Sequence, residues 1–161
     1  MNLFELAPSW LAWVLAALLL AAAGEDAVRL KISNLLCLSV LLAAIAAMVI
    51  SGFEADVWQN LLVFAALLAG GTFLFGRGLF GGGDVKLLAA LGLWCNLGAA
   101  VAMLSGVFIS GGILAIVVLA VRTFAPAAAA ERIVILKPKG GIPYGVAIAA
   151  GGLLSLALYR G

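Results

Sequence analysis

Two aspartates stand out among the few groups in this chain that could do chemistry. Asp occurs at three positions, 26, 56 and 84, and His does not occur at all. Without His there is no Ser–His or Cys–His route to a nucleophile, and a rhomboid-like serine peptidase is excluded. The two cysteines, Cys37 and Cys95, fit no CxxC or paired framework, so neither a disulfide scaffold nor a Cys/His zinc site is expected. A metal held by Asp26, Asp84 and Glu25 would lack the oxygen shell of a protein-made calcium site. No metal and no cofactor are expected. Paired carboxylates can share a proton and act as an acid/base machine. One, ionised, takes a proton from water. The other, protonated, hydrogen-bonds a scissile carbonyl oxygen. Their apparent pKa values belong to the pair.

Each aspartate also has a plainer role. Asp56, beside Glu54, reads as a solvated loop charge. Asp26 in Gly24-Glu25-Asp26 reads as a polar stop after an apolar run. Asp84 follows Gly81-Gly82-Gly83 and precedes Val85-Lys86 and the apolar stretch from Leu87, which suits a helix N-cap. The three glycines also let another segment come close to the backbone. Lys86 either reaches the headgroups or favours the ionised form of Asp84.

The elements that must position these groups are membrane helices. Of 161 residues, 66% are hydrophobic, against nine basic and seven acidic ones. Soluble domains have about 45–50% apolar and about 25% charged residues. A net charge of +2 makes no stripe for nucleic acid. A spanning helix needs about 20 apolar residues. Apolar runs lie at 7–24, 32–53, 57–75, from the glycines at 81–83 to about Trp94–Leu97, at 98–121, and from Pro143 to Leu158. The fold class expected is therefore all-α, with six transmembrane helices in one domain covering 1–161. The Ala23 region resembles a signal-peptide cleavage site, but residues 1–8 carry no basic group, so a retained helix is expected.

Orientation follows from Lys and Arg. With six crossings, every basic residue except Arg160 falls on one side: Arg29, Lys31, Arg77, Lys86, Arg122, Arg132, Lys137 and Lys139. That side is read as cytoplasmic, with both termini outside the cytoplasm. It also holds Asp26 and Asp84. Trp10, Trp13, Trp58 and Trp94 fall at the other ends of their helices, where interfacial rings belong. Gly106 with Ser110, and Gly141 with Gly145 and Ala149, have the four-residue spacing that lets helices approach in lipid. Residues 127–130 form an alanine run expected to extend a helix, and 132–137 reads as an interfacial segment or short strand.

These motifs together resemble the type IV prepilin leader peptidases, polytopic aspartic peptidases with a Gly-x-Gly-Asp motif. The short members that serve Flp (tight-adherence) pili are most similar. Gly81-Gly82-Gly83-Asp84-Val85-Lys86-Leu87 matches the signature around the second catalytic aspartate, with Gly81, Gly83 and Lys86 as motif support. Asp26 followed by Ile32-Ser33-Asn34 matches the first-aspartate region, with Ser33 where the pattern has Pro. Ile142-Pro143-Tyr144-Gly145-Val146-Ala147-Ile148-Ala149 matches the final-helix motif. The resemblance implies catalytic Asp26 and Asp84, a prepilin or pseudopilin substrate, and leader removal at the cytoplasmic face of a bacterial inner membrane. Longer members also N-methylate the product through a segment with paired CxxC motifs. That segment is absent here, so no methyltransferase activity is expected. Outside the resemblance, a non-catalytic membrane assembly subunit or a small proton-coupled transporter would also place two acids at one face.

Overall fold

The computed structural model describes residues 1–124 and 141–161. The alanine run, the 132–137 segment, Arg132, Lys137 and Lys139 lie outside the described residues. Within them the chain is helical and holds no strand. A one-turn helix α1 (Leu3–Leu6) precedes α2 (Ser9–Arg29), α3 (Asn34–Ser51), α4 (Val57–Gly76), α5 (Gly82–Gly92), α6 (Leu97–Phe124) and α7 (Tyr144–Arg160). By length and composition, α2, α3, α4 and α6 are long and apolar enough to cross a membrane. The apolar α7 has 17 residues and α5 has 11.

Boundaries follow the turn chemistry, with one important exception. Ser33 caps α3 by accepting the Leu36 N–H on its hydroxyl, and Pro143 caps α7. Gly24-Glu25-Asp26 does not end the first long helix. α2 runs on to Arg29 and closes at Leu30, whose φ of 52° is left-handed and whose N–H returns to the Asp26 carbonyl. The reason is tertiary. The last turn of α2 packs on α7 and α3, and Asp26 is buried at 3% exposure, inside the protein rather than at a helix stop.

The short α5 occupies the middle. It packs against α3, α4 and α7, and every residue from Leu87 to Gly92 is buried. The remaining helices close around it through the α2–α3, α2–α7 and α6–α7 contacts. At the α6–α7 contact Gly106 lies against Gly151, and Ser110 Oγ donates to the Ala147 carbonyl at 3.1 Å. This is the close packing expected of the Gly106–Ser110 spacing. Gly141 precedes α7 and belongs to no helix stripe.

The far end of α5 corrects the reading of the tryptophans. Trp10, Trp13 and Trp58 are exposed, as interfacial rings are. Trp94 is fully buried, with its indole N–H donating to the Val40 carbonyl at 3.3 Å and its ring 6.3 Å from that of Phe4. It fills the space beyond the end of α5, where a helix of about 16 Å stops short.

Candidate active site

Asp26 and Asp84 come from distant parts of the chain and meet. Both line a polar pocket of about 310 Å³ with Leu30, Lys31, Ile32 and Gly81–Gly83, and each lies within the electrostatic reach of the other. Asp56 stays exposed in the turn before α4.

Asp26 is held by the start of α7. The Gly145 N–H donates to its Oδ2 at 2.7 Å, and the Val146 N–H contributes as well. Free N–H groups and the positive end of the helix dipole make this a natural seat for a carboxylate. Only glycine fits at 145. A Cβ there would stand 2.6 Å from Ile32 Cδ1 and 2.9 Å from Asp26 Oδ2. The final-helix motif is thus the floor of the Asp26 site, a role its sequence did not disclose.

Asp84 is not the N-cap of α5. Gly81 occupies that position, and Asp84 sits three residues in, its Oδ2 accepting the Gly81 N–H at 3.2 Å. The acid therefore satisfies a helix-end donor, as capping requires, and still faces the pocket. Gly83 allows the second close approach. A Cβ on it would lie 3.2 Å from the Ile32 carbonyl oxygen and 3.3 Å from the Ile32 nitrogen. Ile32 is the wedge between the two motifs, touching Gly83 on one side and Gly145 on the other.

Lys86 points elsewhere. Its Nζ donates to Asn34 Oδ1 at 2.8 Å, tying α5 to α3 beside the pocket. Glu25 also turns away from the aspartates. It accepts the Ser33 N–H on Oε2 at 2.7 Å and pairs with Arg29 at 3.7 Å. Among the described residues no three His, Cys, Asp or Glu side chains are grouped as metal ligands would be.

Next to the polar pocket lies an apolar recess of about 330 Å³ between α3, α4 and α5. Asn34 and Lys86 stand at one end, with Cys37, Leu41, Phe64 and Leu68 deeper along it. The Cys37 thiol, which lines the recess, approaches the carbonyl of Gly83, which lines the polar pocket, at 3.7 Å.

Two carboxylates facing one polar pocket in an apolar helical protein have the arrangement that paired acid/base chemistry requires. The comparison with known families is specific. The chain matches the type IV leader peptidase family over residues 13–119 and belongs to that family, which makes it a peptidase of a multi-pass membrane type. The match includes Asp26 and Asp84 and stops before Gly145. No curated protein and no solved structure matches the chain.

Proposed function

We propose that this protein is an aspartic endopeptidase that removes the leader from prepilins or pseudopilins, with Asp26 and Asp84 as its catalytic dyad. The observation that carries this reading is their meeting in one polar pocket, each backed by the N-terminal turn of a helix. One carboxylate accepts a proton from the attacking water. Its protonated partner hydrogen-bonds the carbonyl oxygen and protonates the leaving nitrogen as the tetrahedral intermediate collapses. A dyad of this kind works with one proton between its two carboxyls. Activity then falls on the acid side as the base is protonated and on the alkaline side as the acid is lost.

The membrane setting supports a substrate that is itself an apolar helix. The recess walled by Leu41, Phe64 and Leu68 adjoins the dyad pocket through the Cys37–Gly83 contact. A scissile bond at the dyad, followed directly by an apolar helix lying in that recess, uses both cavities. α2 to α7 then make six crossings, with both termini on the periplasmic side of a bacterial inner membrane and cleavage at the cytoplasmic face. In support, Arg29, Lys31, Arg77 and Lys86 lie at or beside the dyad end of their helices, while Arg160 lies at the other end, bonded to the Phe4 and Ala7 carbonyls. Flp-type pilins are the expected substrates, and the product amine stays unmethylated.

Co-expression with candidate prepilins in cells free of other prepilin peptidases tests the reading. Intact mass should show leader loss without the mass of a methyl group. Intact precursor for every candidate, with the protein inserted in the membrane, would overturn it.

A further inference from the structure

The α2–α3 turn carries an acid that the mechanism does not use. Glu25 precedes Asp26 on α2, is part-buried, and reaches across the turn to the Ser33 N–H at 2.7 Å. Between its two ends the chain reverses at Leu30, in the left-handed region, and passes through Ile32. Ile32 is the residue wedged against Gly83, next to Asp84, and against Gly145, which donates to Asp26. A bond that fixes the two ends of the turn therefore fixes the wedge that packs against the glycine beside each carboxylate. Ser33 has φ of −68°. Proline holds φ near −65° by its ring and has no N–H.

We propose that Glu25 is a positioning residue for the dyad, locking Ser33 by a hydrogen bond into the backbone conformation that a proline at 33 would hold covalently. This rests on the peptidase reading above. Two consequences separate it from a general structural role. The acceptor oxygen is what matters, so Glu25→Gln should keep most of the activity. In addition, Ser33→Pro should make Glu25 dispensable, because the ring sets φ and leaves no donor to satisfy. The Arg29 pair is not the agent: Arg29 is 73% exposed, and such pairs contribute little.

The test is a double-mutant cycle on precursor cleavage in membranes, with insertion of each variant measured by immunoblot. Glu25→Ala should lower kcat on the order of tenfold to a hundredfold, the scale of a displacement of about 1 Å at a reacting group, with KM little changed. Glu25→Gln and Arg29→Ala should remain near wild type. In a Ser33→Pro background, Glu25→Ala should have little further effect. Unaltered cleavage by Glu25→Ala overturns the inference, as does an equal loss in the Ser33 and Ser33→Pro backgrounds. Failed insertion of Glu25→Ala that Ser33→Pro does not rescue overturns it too. Failure of the wild-type protein to cleave any precursor would instead remove the peptidase reading, so the two failures are told apart.

Discussion

Both ends of the helix bundle bury polar side chains, and they treat them in opposite ways. At the end away from the dyad, Asn60 on α4 is completely enclosed. Its amide donates to the Met1 carbonyl and to the Leu93 carbonyl, each at 3.0 Å. The Leu3 N–H meets the Trp94 carbonyl at 3.0 Å, and Phe4 and Trp94 close the remaining space. These groups look inward and face one another. At the dyad end, the carboxylates of Asp26 and Asp84 are each held by a backbone N–H and still face a cavity. A buried polar group whose partners are all protein fixes a fold. One that is held firmly and still faces a pocket has capacity left for a substrate.

Asparagine at either acid removes the proton chemistry of the dyad end while sparing its shape. Asp26→Asn and Asp84→Asn should each reduce prepilin cleavage by about a thousandfold or more, and the double variant should be no worse, as for groups that act as a unit. Insertion should be normal. Asp56→Asn should cleave as wild type. Near-complete cleavage by Asp84→Asn would show that the two ends differ only in appearance.

Gly145→Ala should come next. The added methyl meets Ile32 and the Asp26 carboxylate, so it must displace one of them. A cleavage loss on the order of a hundredfold is expected with the chain still inserted. Wild-type kcat in this variant would mean that the α7 seat of Asp26 has no part in the reaction.

The opposite end should answer in stability rather than in rate. Asn60→Ala strips the partner from two buried carbonyls and should cost about 2 kcal/mol, read as a lower midpoint of thermal unfolding in detergent. The pH profile of the remaining activity should stay as it was. A shifted profile would connect the two ends in a way their hydrogen bonds do not.

Lys86→Met should have the smallest effect. Lys86 anchors α5 to Asn34 on α3 and does not point at Asp84. A modest loss with an unmoved acid limb is expected. An acid limb that moves upward would restore the direct electrostatic role that the sequence position invites.

How far the sequence disclosed all this depended on the kind of interaction. Residue types alone singled out Asp26 and Asp84, because acids at the edges of apolar runs are costly and few. The long helices were legible within a few residues from hydropathy and turn residues. The end of α2 was not, because Gly24-Glu25-Asp26 carries every local stop signal while contacts with α7 and α3 keep the helix going. Trp94 was misread for a related reason: its place near a helix end says nothing about what fills the space beyond. Glu25 reads only as part of the polar stop after the first apolar run and as a poor third ligand for a metal. The one signal was Ser33, which has an N–H where the motif has proline and so needs an acceptor nearby.

The short α5 has one more consequence. The helix carrying Asp84 stops at Gly92, and the chain's opening turn abuts the far side of Trp94. The Trp94 carbonyl is taken by the Leu3 N–H and the Leu93 carbonyl by the Asn60 amide. The helix that carries Asp84 is therefore moored at the end opposite its acid, so the two polar ends of the bundle are joined through a single short element.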